Sequence, residues 1–111
     1  MVDLISMQAA ELLERLARKP SFDEEAYFRL GLLLQSGVSP LAGAALDEAT
    51  EFYVTWKHMG NRLDVSEKAN KEITRDSRKR MLLFARALKS NATQYSSIED
   101  LQKRYPDEDS L

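Results

Sequence analysis

Apolar residues recur along this chain at intervals of three and four, and nowhere alternate with polar ones long enough to make a half-buried strand. That periodicity leaves helices as the only regular element with a buried face. Ile5, Ala9, Leu12, Leu13 and Leu16 form a first stripe, with Glu11–Arg15 and Glu14–Arg18 as i,i+4 pairs in the favourable order. Arg15, Arg18 and Lys19 suit the negative end of a helix dipole and Pro20 stops the helix, predicting it near residues 3–18.

Punctuation divides the rest. Ser21-Phe22-Asp23-Glu24 reads as a capping box opening a second helix, whose expected buried face is Phe22, Ala26, Leu30, Leu33 and Leu34. Gly37 suits its C′ position, and Ser39 then caps a third helix that starts at Pro40. Its seam of Ala45, Ala49, Phe52, Trp56 and Met59 runs to a stop at Gly60. A fourth segment, about Val65 to Lys89, carries Val65, Ala69, Ile73, Met81, Phe84 and Leu88 on one broad face, with a break possible near Asp76-Ser77. Ser96 to Glu99 forms another box, opening a short helix through about Arg104 that Ile98, Leu101 and Tyr105 would dock.

With 111 residues the chain suits one domain. Its 43% hydrophobic content is enough for a core. The expected fold is all-α: a compact bundle of four main helices plus a short C-terminal helix over residues 1–105, followed by an acidic tail at 106–111. No apolar run approaches the ~20 residues that cross a bilayer. The start lacks a basic region followed by an apolar stretch, so no secretory signal and no membrane association are expected. Absence of cysteine fits a reducing compartment, and a cytoplasmic location is expected.

Several chemistries are excluded or disfavoured. No cysteine means no disulfide, thiolate metal site or cysteine nucleophile, and a single histidine, His58, rules out a multi-histidine centre within one chain. Phosphate-loop, nucleophile-elbow and dinucleotide signatures are missing. Asp23-Glu24-Glu25 opens a helix, where the dipole favours acids. Asp47, Glu48 and Glu51 belong to no calcium-type loop. No enzyme activity, metal or cofactor is expected.

Charge is segregated. Residues 1–63 sum to −3, residues 64–90 to +4 and residues 91–111 to −3. On one continuous helix Lys68, Lys71, Arg75, Arg78, Lys79, Arg86 and Lys89 fall in one sector of roughly 100°, with Arg80 turned toward the apolar side. Such a ridge would suit an acidic protein surface, the chain's own acidic tail, or a nucleic acid. Against nucleic acid stand the sequence pI of about 5.4, the lack of interleaved aromatics, and Glu67, Glu72 and Asp76.

Gly37-Val38-Ser39-Pro40, with Leu46 further on, resembles the turn of helix-turn-helix DNA-binding domains, which would make the third helix a recognition helix. Leu33 and Gly43 depart from that pattern, and Asp47, Glu48 and Glu51 would repel phosphates. The third helix also carries a second apolar face, for which Leu41, Leu46 and Tyr53 are the expected protein-contact residues. The reading that follows is a non-catalytic adaptor, assembly chaperone or regulator that binds a protein partner or self-associates. The alternative is a nucleic-acid-binding protein using the basic face at about 65–89.

Overall fold

A computed structural model describes residues 4–19, 23–35, 40–60, 72, 74–90 and 98–105, the side chains of residues 58–60 excepted. Five helices account for nearly all of them: α1 (Leu4–Arg18), α2 (Glu24–Gln35), α3 (Pro40–Gly60), α4 (Arg75–Lys89) and α5 (Ile98–Arg104). There is no strand among the described residues. Helix α1 packs on α2, α2 on α3, α3 on α4 and α4 back on α1, closing a four-helix circuit, while α5 rests on α4. The expected all-α bundle of four main helices and a short fifth is the observed fold. The proposed tail at 106–111 and the segment before Glu72 lie outside the described residues, as do Lys68 and Lys71.

Local chemistry explains the boundaries. Helix α1 ends before Pro20, as its sequence predicts. Helix α2 starts two residues later than a Ser21 cap would place it, because Asp23 is the capping residue: its Oδ1 accepts from the Ala26 amide at 3.0 Å. The same carboxylate accepts from Lys19 Nζ at 2.9 Å, joining the end of α1 to the start of α2. Lys19 first, then the Ala26 amide, hold Asp23 below its ordinary value of 3.8. Helix α3 runs from Pro40 to Gly60, matching the expected start and stop.

Helix α4 departs most from expectation. It begins at Arg75 with Thr74 as N-cap residue, so the basic stretch is not one helix from residue 65 to residue 89. It is also the central helix. Met81, Leu82, Leu83, Phe84 and Ala85 are buried in succession, followed by Ala87 and Leu88, which is possible only for a helix covered on most sides. Helices α1, α3 and α5 supply that cover. Ala9, Leu13 and Leu16 come from α1, and Leu41, Ala45, Ala49 and Phe52 from α3, all fully or almost fully buried. Leu101 and Tyr105 dock the short α5, as their spacing predicts, with Ile98 partly buried beside them.

Two polar clusters hold α4 in place. Arg78 is 3% exposed, and its Nη1 donates to the carbonyls of Ala17 (2.9 Å) and Lys19 (2.5 Å), with Leu16 O at 3.4 Å. The Leu16 and Ala17 oxygens belong to the last turn of α1, which lacks intrahelical donors for them, and the Lys19 oxygen lies one residue past its end. Arg78 Nε donates to Thr74 Oγ1 at 2.6 Å, and the guanidinium lies 5.1 Å from the Phe52 ring centroid. Burial pushes Arg78 below the usual arginine value, yet a guanidinium stays charged at any physiological pH. In the second cluster, buried Glu48 of α3 accepts from Ser77 Oγ at 2.9 Å and from Arg80 Nε at 2.5 Å. That hydrogen bond raises Arg80, and Glu48 thereby ties α3 to α4.

Candidate functional site: the outer face of α2

Helix α2 buries Ala26, Leu30 and Leu34 and leaves Leu33 half-buried. The same helix turns two large apolar side chains outward: Phe28 is 56% exposed and Leu32 is 72% exposed. They are one turn apart and so share a face. Isolated exposed leucines are common on protein surfaces, but an adjoining aromatic and leucine beside grooves form a patch.

On the α3 side lies a groove of about 380 Å³ lined by Tyr27, Phe28, Gly31, Leu32, Leu46 and Thr50, with Gln35 at its end. The groove follows from two sets at helical spacing, 27-28-31-32-35 on α2 and 46-50 on α3. An aromatic cluster backs its wall. Tyr27 and Tyr53 stack with centroids 4.5 Å apart and planes 2° from parallel. Phe28 sits 6.3 Å from Tyr53 at 59° and 5.5 Å from Tyr27 at 56°. Thr50 Oγ1 donates to the Leu46 carbonyl at 2.9 Å and lies 3.2 Å from the Tyr27 hydroxyl, which is left to act as donor. Lys57 Nζ reaches 5.1 Å from the Tyr53 ring centroid, and its hydrogen bond to Tyr53 raises it further above neutrality.

On the other side, α1 and α2 border an open cleft of about 520 Å³ lined by Gln8, Glu11, Leu12, Arg15, Arg29, Leu32 and Leu33. Leu32 therefore borders both depressions, and Phe28 with Leu32 forms a ridge between them.

The expected contact residues divide accordingly. Leu46 lines the α2–α3 groove, whereas Tyr53 is not part of its lining and only stacks on Tyr27, which is. Leu41 does neither. It is fully buried, being four residues from Ala45 and hence on the core side of α3. Phe28 and Leu32 were missed. Their signal was in the sequence, since Ala26, Leu30 and Leu34 take the core face and leave these two opposite it.

The basic ridge is shortened. Arg78 points into the core, where Met81, Leu82 and Ala85 follow it at three, four and seven residues. Arg75 is exposed and Lys79 half-buried. The Arg86 guanidinium lies 4.6 Å from the Tyr105 ring centroid, and Lys89 is ion-paired with Glu14. Arg86, Lys89 and Arg18 border a small cleft of about 160 Å³ together with Glu14 and Leu82. Arg80 does turn to the apolar side, where Glu48 meets it. The would-be recognition helix α3 is packed between α2 and α4, with Glu48 committed inward.

Among the described residues no three His, Cys, Asp or Glu side chains gather as a metal site. The His58 side chain lies outside them. No helix among them is long and apolar enough to cross a membrane. Compared with known proteins, the chain matches no family model, no curated protein and no solved structure.

Proposed function

We propose that this chain is a non-catalytic protein-binding module, an adaptor, assembly chaperone or regulator whose contact surface is the outer face of α2 with the α2–α3 groove. The observation that carries this reading is the exposure of Phe28 and Leu32 beside a groove lined by Tyr27, which Tyr53 backs by stacking. Large apolar and aromatic side chains at the centre of a patch anchor protein contacts. A polar rim of Gln8, Arg15, Arg29 and Gln35 surrounds them.

A photo-crosslinking residue placed at position 32 in living source cells tests it, with position 4 as an equally exposed control. Crosslinks to protein at position 32 that Phe28→Ser abolishes are expected. Equal yields at the two positions reject the surface.

The rival reading, nucleic-acid binding through α4, draws on Arg75, Lys79, Arg86 and Lys89 with Arg18 of α1 alongside. It predicts salt-sensitive binding to duplex or single strands that reversing Arg75, Lys79 and Arg86 to Glu abolishes. The protein-binding reading expects no such binding.

A further inference from the structure

Three cations meet where the last turns of α1 and α4 come together. Arg18 closes α1, and Arg86 and Lys89 belong to the last turn of α4. Basic side chains suit the negative end of a helix dipole, and that accounts for each of them alone. It does not account for their meeting. The three line one cleft of about 160 Å³, together with Leu82 and a single acid, Glu14. Three cations against one carboxylate leave this lining at +2. Gathering like charges costs free energy that an anion placed between them recovers.

The pairing inside the cleft sharpens the point. Glu14 and Arg18 are four residues apart, the spacing at which one helix lets an acid hold a base. Glu14 is instead paired with Lys89 of α4, and exposed Arg18 has no side-chain partner among the described residues. Arg86 is held differently. Its guanidinium lies 4.6 Å from the ring centroid of Tyr105, a buried residue just past α5. A cation braced against a buried ring loses less freedom on gripping a ligand than one ranging over the surface.

The donor set selects the ligand. Guanidinium groups match phosphate oxygens with paired N–H donors, and an ammonium adds a point charge. A phosphate monoester carries about −1.5 to −2 near neutral pH, which balances this lining, whereas one carboxylate balances half of it. The cleft is smaller than the roughly 300 Å³ at which sites for drug-sized molecules begin, so it fits one phosphate group and not a whole nucleotide. Glu14 opposes any anion here, and its pairing with Lys89 limits that cost.

We propose that this cleft binds a phosphate dianion, free or as the head of a monoester, with Arg18 and Arg86 as paired donors and Lys89 as a supporting charge. It shares no residue with the grooves beside α2 and is independent of the protein-contact reading.

Backbone amide NMR signals of the full chain test it, in titrations with inorganic phosphate and with O-phosphoserine at about pH 7 and constant ionic strength. Saturable shifts around Arg18 and Arg86 are expected, with Kd in the range of about 1–10 mM. Arg18→Gln should weaken binding about tenfold without lowering Tm, and Glu14→Gln should strengthen it. Arg75→Gln removes the same charge from α4 outside the cleft and should leave binding unchanged. Tighter binding of O-phosphoserine assigns the cleft to an esterified phosphate, and equal binding assigns it to phosphate itself. No saturable shift with either probe up to about 50 mM overturns the proposal. So do shifts that Arg18→Gln leaves intact or that Arg75→Gln weakens equally, since those describe ions gathered by the general charge of α4 and not held in the cleft.

Discussion

Helices α2 and α4 exchange the roles their compositions suggest. Helix α4 carries six basic residues in fifteen, yet eight of its residues are buried and it forms the centre of the bundle. Helix α2 is rich in leucine and aromatics, yet buries three residues of twelve and turns Phe28 and Leu32 to solvent. The difference is one of neighbours. Three helices surround α4, so even an arginine is drawn inside and must be given partners. Two helices flank α2, so apolar side chains on its far side have nothing to cover them. Mean polarity of a helix thus says less about its place than how many of its faces the fold covers.

Substitutions that break this contrast should have their largest effect in α4. Leu83 is 2% exposed, and Leu83→Ala should cost about 2–5 kcal/mol in urea unfolding through lost burial and the cavity left behind. Arg78→Ala should cost about 3 kcal/mol or more, since it strands the carbonyls of Ala17 and Lys19. Arg78→Lys should recover only part, because an ammonium cannot span Thr74 and the α1 terminus as a planar fork does. A wild-type-like Arg78→Ala would mean that these carbonyls reach water and that α4 is less enclosed at its first turn. Next comes Glu48→Ala, expected to cost about 2 kcal/mol by leaving Arg80 and Ser77 without their shared acceptor.

The helices were legible because each depends on local information. The α3 limits follow from Ser39-Pro40 and Gly60, and α1 from its stripe and Pro20. What stayed hidden depends on which helices become neighbours. Arg78 lies on the same angular face as Met81, Leu82 and Ala85, so its burial had a sequence signal. Its partners are backbone oxygens of α1, about sixty positions earlier, and backbone groups leave no residue-type signature. Glu48 looked like one of three acids on α3; only the pairing of α3 with α4 turns it into a clamp for Arg80. Likewise Leu46 and Tyr53 were legible as a second apolar face on α3, whereas the groove that Leu46 borders, and the ring that Tyr53 stacks on, come from Tyr27 and Phe28 of α2. Arg78 sits at the edge of the basic sector nearest Met81 and Ala85, so a helix covered on most sides takes it into the core while Arg75 stays outside.

A smaller effect belongs to the α1–α2 corner. Asp23→Ala should cost about 1 kcal/mol by uncapping α2. Because Lys19 and the Ala26 amide depress the folded-state value of Asp23, its ionised form adds stability above the ordinary value of 3.8. That contribution should disappear as pH falls below 3.8 and through the depressed folded value. Asp23→Asn should remove this acid-side slope while keeping part of the cap, which urea midpoints measured at successive pH values will show. An unchanged slope would assign the acid sensitivity to other carboxylates.

The smallest effect sharpens the comparison most. Leu32 is 72% exposed, so Leu32→Ser should change stability by no more than about 0.5 kcal/mol, most of it from helix propensity. Leu83→Ala, a smaller chemical change at another leucine, should cost several times as much. The ratio of the two losses, measured under one set of urea conditions, reports how differently α2 and α4 are covered. A loss at Leu32 approaching that at Leu83 would mean that the monomer already packs Leu32, closing the cleft between α1 and α2 and removing the exposed ridge. A loss near zero leaves Leu32 with no role in holding the monomer together, and its apolar surface then contributes free energy only when another protein surface covers it.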